Sequence, residues 1–137
     1  MCQNIYISSK KELPEIKWNE KSPGFNIMKV THEGELKMLE PILHSDHLYE
    51  VLSFMGCSCG LMYGHWTKDD VQDHRQRVKC VFDFIEYLIK HKENNTLQIF
   101  STMWDKFPET YESKDFDTSK INKEEFEVDE MIILNVK

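Results

Sequence analysis

One stretch limits what this chain can become. From Thr67 to His91 apolar residues recur at helical spacing. Val71, Val78, Val81, Phe82, Ile85, Leu88 and Ile89 share one broad face, and Cys80, Phe84 and Tyr87 carry it around the back. Thr67 suits an N-cap, Asp69 and Asp70 place negative charge in the first turn, and Lys90, His91 and Lys92 place positive charge in the last. Asn94-Asn95 can then stop the helix. Only Lys79, Asp83, Glu86 and Lys90 form a clear polar strip, with Lys79/Asp83 and Glu86/Lys90 at pairing distance. A helix this apolar needs cover on more than one side, and the flanking segments read as strands that supply it.

Residues 3–8 alternate, with Ile5 and Ile7 on one face and Tyr6 on the other, and residues 25–30 resume that pattern. Between them, residues 10–23 read as a loop anchored by Leu13, Ile16 and Trp18. A Glu33-Gly34 turn leads into residues 35–43, where Leu36, Leu39 and Leu43 have helical spacing but Pro41 removes a backbone donor, which predicts a short or broken helix. Residues 47–55 fit a helix through Leu48, Val51 and Met55 and a buried strand through Tyr49, Val51 and Phe54; the preferred reading is a strand, with Gly56 to Gly60 a tight turn and Leu61-Met62-Tyr63 a returning hairpin partner. After the long helix, residues 96–103 alternate again. Residues 105–125 read as a long surface connection pinned by Phe107, Tyr111 and Phe116, and Met131 to Leu134 is dense enough for a strand buried on both faces. The expected architecture is α+β: a mostly antiparallel sheet with one long helix, about 67–91, packed on it, in a single domain over residues 1–137.

Charge removes whole classes of function. The chain has 17 Lys and Arg against 24 Asp and Glu, a net charge of -7, so it lacks the clustered basic excess that neutralises phosphates and is not expected to bind nucleic acid. The longest aliphatic run, Met131 to Leu134, is far below the roughly 20 residues that cross a bilayer, so no membrane span is expected. The first eleven residues show no basic stretch followed by an apolar core and a small-residue cleavage site, and the expected compartment is the cytoplasm.

Two features bear on chemistry. In the cytosol the four cysteines are expected to be reduced. Cys57 and Cys59 flank Ser58 between two glycines, and two thiolates on one turn can begin a zinc site if folding brings two more ligands. Cys2 and His65 are the candidates, and zinc is the cofactor such a site would take. The spacing is shorter than the usual two to four intervening residues of zinc ligand pairs, and small buried cysteines beside a glycine turn explain the same residues. A thiol nucleophile is the other use, with His44, His47, His65 and Tyr63 near in sequence. His74 falls on the apolar face of the long helix, as a core histidine would. No phosphate loop, dinucleotide fingerprint, nucleophile elbow or two-histidine zinc helix is present in the sequence.

The second feature is local acidity. From Asp105 to Glu130 ten acids face four lysines, -6 of the chain's -7, while residues 1–104 carry only -2. Trp104, Phe107, Glu109, Tyr111, Glu112, Asp115, Phe116 and Asp117 interleave aromatics with charge, a combination that can steer toward a basic protein partner and then hold it. An ordinary solvated loop with inward-pointing aromatics accounts for the same pattern. The sequence therefore carries two expectations: a non-catalytic binding protein of the inhibitor or toxin-neutralising immunity type using residues 104–130, or a small zinc-binding or thiol-dependent protein centred on Cys57-Ser58-Cys59.

Overall fold

A computed structural model describes residues 3–22, 24–61, 71–103, 111–122, 126, 128 and 131–137. Six strands form one sheet: β1 (Gln3–Ser9), β2 (Asn26–Lys29), β3 (His47–Leu52), β4 (Leu97–Met103), β5 (Glu112–Phe116) and β6 (Ile132–Val136), in the order β2-β3-β1-β4-β6-β5. Every neighbouring pair is antiparallel except β5 with β6, which is parallel. Among the described residues two α-helices accompany the sheet, α1 (Glu33–Leu39) and α2 (Val71–His91), so the fold is α+β with a mostly antiparallel sheet, as the hydrophobic pattern requires. Among the described residues no helix is long and apolar enough to cross a membrane.

Strand alternation sorts the apolar side chains into two cores. Register places Tyr49, Ile7, Ile99 and Leu134 side by side across four strands, and Ile27, Val51 and Ile5 in a second row. Both rows belong to the larger core, which α2 closes with Cys80, Val81, Phe84, Ile85, Tyr87 and Leu88. Phe84 sits at its centre, with ring centroids 5.5 Å from Phe25 and 6.0 Å from Phe126. The opposite face carries Tyr6, Leu48, Phe100 and Ile133, and α1 covers it with Leu36 and Leu39, followed by Ile42 and Leu43. Tyr6 and Phe100 are register partners there. β1 is therefore central in the sheet and buried on both faces.

Several expectations need correction. Helix α1 starts at Glu33, so Glu33-Gly34 is its first turn and not a separate bend, and it ends at Leu39, two residues before Pro41. Its N-cap, His32, makes no side-chain capping bond, which is why the start carried no sequence signal. Of the expected returning strand after Gly56, Leu61 belongs to a 3-10 turn, and Met62 and Tyr63 lie outside the described residues. Both edges of β3 are occupied, by β2 and β1, and Ser58–Leu61 is a 3-10 turn. Residues 105–125 are not wholly a loop, since Glu112–Phe116 is a strand. Met131 has a φ of 62° and precedes β6 instead of opening it, and Ile132 and Ile133 are half-buried, so that strand is less enclosed than its composition suggests. On α2, Phe82 and Ile89 are exposed, where the pattern predicted cover on more than one side. Of the loop anchors, Leu13 is buried while Ile16 and Trp18 are exposed. Residues 67–70, the expected start of the long helix, lie outside the described residues.

Candidate functional site

The acidic segment begins, among the described residues, at Tyr111. Its ring packs into the α1-side core, 6.3 Å from Phe100 and nearly perpendicular to it. Strand β5 follows as the outermost strand of the sheet. Glu112, Ser113, Lys114 and Asp115 are all exposed, which suits an edge strand, since charges there discourage unwanted pairing. Strand alternation sends Glu112 and Lys114 to one face and Ser113 and Asp115 to the other. Phe116 closes the strand by turning toward the larger core, where its ring lies 6.5 Å from Phe126. Trp104, Phe107 and Glu109 lie outside the described residues.

Asp117 has a local structural task. Its carboxylate accepts hydrogen bonds from the Ser119 backbone N–H at 2.9 Å and from Ser119 Oγ at 2.6 Å, and Lys120 Nζ stands 3.8 Å away. These bonds, the side-chain one foremost, hold its carboxyl below the usual aspartate range. The short 3-10 turn that Asp117 caps, Thr118–Lys120, is tied to the end of the sheet: the Thr118 hydroxyl donates to the Lys137 carbonyl at 2.9 Å and accepts from Lys92 Nζ at 3.1 Å. Between this turn and β5 lies a cavity of about 640 Å³, floored by Phe116, Ile121, Phe126 and Leu134 and rimmed by Lys114, Asp115 and Lys120.

The cysteine turn works through its serine. Gly56 holds a φ of 76°, which a side chain would strain, and its N–H donates to the Ser53 carbonyl. Ser53 donates through both its N–H and its hydroxyl to the Cys57 carbonyl, at 2.8 and 2.6 Å. Ser58 is buried, and its hydroxyl donates to the Val51 carbonyl at 2.5 Å while accepting from the Ile5 N–H at 3.1 Å, so it joins β1 to β3. Cys57 is half-buried with a free thiol. Cys2, the Cys59 side chain and His65 lie outside the described residues. Among the described residues no group of three His, Cys, Asp or Glu side chains is arranged to hold a metal ion. Cys80 is free and buried in the larger core, and burial pushes its thiol pKa up, against nucleophile formation.

Two polar residues of α2 differ from their sequence reading. His74 is half-buried and not a core histidine, while Arg77 is 1% exposed. Its guanidinium donates through Nη2 to the Phe126 carbonyl at 3.1 Å, anchoring a point of the acidic segment to the long helix. A charge inside an apolar helical face carries no periodic signal that would have revealed this. Neither a family model, nor a curated protein, nor a solved structure matches this chain.

Proposed function

We propose that this chain is a small, single-domain, cytoplasmic, non-catalytic binding protein that presents its acidic segment, residues 104–130, to a basic protein partner, in the manner of an inhibitor or a toxin-neutralising immunity protein. The observation that carries this reading is the exposure of Glu112 and Asp115 on the outermost strand, within a segment holding most of the chain's net negative charge. An acidic field on a rigid strand steers a basic surface during encounter and fixes its register on contact. Tyr111 and Phe116 serve by packing inward, which holds β5 in place for its charges to act. The contact is therefore expected to be more electrostatic than the aromatic content alone suggests.

The test is quantitative capture from cell lysate at low and high salt with the wild-type chain and with Glu112→Lys/Asp115→Lys. Partners bound through this strand should be lost in the variant, and their wild-type capture should fall steeply as salt rises. Unchanged capture with unchanged salt dependence rejects the reading. Zinc content of the purified chain beside that of Cys57→Ser/Cys59→Ser separates it from the thiol-centred alternative, which requires stoichiometric metal that the double variant loses.

A further inference from the structure

The outer edge of β5 turns main-chain groups toward solvent. The Phe116 carbonyl accepts from the Lys137 N–H, and the Thr118 N–H donates to the Lys137 carbonyl, so the even-numbered residues of this stretch bond to β6. Alternation along a parallel ladder then points the N–H and C=O of Ser113 and Asp115 away from the sheet. Both residues are exposed, and among the described residues neither makes a backbone hydrogen bond on that side. The acids of the strand stand on opposite faces: Glu112 on the α2 side with Lys114, and Asp115 on the α1 side beside the Gln98–Asn135 pair. Neither carboxylate makes an ion pair or a side-chain hydrogen bond among the described residues.

We infer that the edge of β5 is a strand-addition site, taken by an extended segment of the basic partner that carries Lys or Arg at positions three apart. The inference rests on the function proposed above and adds to it the binding mode and the sequence the partner must present. A partner lying flat on either face of the sheet reaches only one of the two acids. A strand laid along the edge reaches both, because its own side chains alternate between the faces, and the residue opposite Glu112 is three positions from the one opposite Asp115. In antiparallel addition the residues opposite Ser113 and Asp115 form the hydrogen-bonded pairs. These main-chain bonds supply affinity, and the flanking acids supply selectivity. A second copy of the chain is the wrong occupant, since it brings the same acidic segment to an edge that is already negative. Charges that block indiscriminate edge pairing thus admit a complementary strand.

The probe is a short, terminally capped peptide of Thr and Val with lysines at positions three apart, titrated to millimolar concentration into the isotope-labelled full chain and followed by NMR. The expected result is saturable shifts centred on the Ser113 and Asp115 amides, with slowed hydrogen exchange there. Moving the lysines to positions two apart puts both on one face and should weaken binding by about two- to fivefold. N-methylation of the peptide residues opposite Ser113 and Asp115 should weaken it at least about fivefold, whereas N-methylation at the alternate positions, whose N–H groups point away from β5, should leave it unchanged. Ser113→Pro removes an outward donor and keeps both acids; edge strands tolerate proline, so this variant should keep the wild-type circular dichroism and lose binding to the same extent. Binding that is lost in Glu112→Lys/Asp115→Lys but equal for the two N-methylated peptides is a charge contact without strand addition, which overturns the inference and leaves the proposed function standing. The absence of saturable shifts at the Ser113 and Asp115 amides, or a dimer formed through this edge without peptide, overturns it as well. Binding indifferent to Glu112→Lys/Asp115→Lys overturns both.

Discussion

Replacing Ser58 by alanine removes one hydroxyl and nothing else, yet it should cost more stability than Cys57→Ser beside it. The hydroxyl sits between β1 and β3, donating to the Val51 carbonyl at 2.5 Å and accepting from the Ile5 N–H at 3.1 Å, with the residue 1% exposed. Without it, two buried backbone groups lose a partner. Each group left unsatisfied costs about 1–3 kcal/mol. Ile5 and Val51 are register partners in the ladder, so slight closure of the strands recovers part of that cost. The net loss should be about 2–3 kcal/mol. With an unfolding entropy of about 2.1 cal/mol/K per residue, this corresponds to a fall in melting temperature of roughly 7–10 °C for a chain of this length. Urea unfolding and thermal melts followed by circular dichroism measure both quantities, and the urea slope should stay unchanged because the folded surface does not change. Cys57→Ser is the comparator: its thiol is half-buried and outside this network, so the change should stay within about 0.5 kcal/mol. A Ser58→Ala loss below about 0.5 kcal/mol, the range of an ordinary surface substitution, refutes the argument.

Phe84→Ala should be among the most damaging single changes, costing about 3–5 kcal/mol in urea unfolding, because the ring is fully buried between Phe25, Phe126 and the sheet. The Asp117 carboxyl should titrate below ordinary aspartates by NMR, and Ser119→Ala should move it back up. A carboxylate with a lowered folded pKa contributes stability that is present above its unfolded pKa and lost as pH falls through the folded value, so the contribution of Asp117 should fade below the ordinary aspartate range. His91, lowered mainly by burial beside the Tyr87 ring at 4.5 Å, should titrate below an exposed histidine. The folded state then binds fewer protons than the unfolded one, and stability should fall as pH drops below the unfolded histidine value. A His91 that titrates at or above an exposed histidine contradicts that environment.

What the sequence showed and what it hid divide along physical lines. β1, β4 and α2 were legible because each is buried over a wide face: Ile5, Ile7, Leu97 and Ile99 recur at period two, and Val81, Ile85 and Leu88 at helical spacing. β5 was not, because an edge strand with exposed Glu112, Ser113, Lys114 and Asp115 has no apolar alternation to read. The turn at Gly56 was visible from the glycine itself, but its direction was decided by the occupied edges of β3, a tertiary fact with no local trace. The same limit applies to the acidic segment. Its charge could be counted, whereas the inward packing of Tyr111 and Phe116 and the capping role of Asp117 depend on partners from β4, Phe126 and Ser119.

The central position of β1 also sets a timetable. β1 pairs with β3, some forty residues downstream, and with β4, some ninety downstream. Until both are synthesised, a segment carrying Ile5, Tyr6 and Ile7, apolar toward both faces, waits with two open edges. Such a strand is a template for wrong pairing with any neighbouring nascent chain, and the sheet cannot close gradually from β1 onward. Productive folding therefore has to be a late event, triggered when β4 leaves the ribosome and gives β1 its second neighbour.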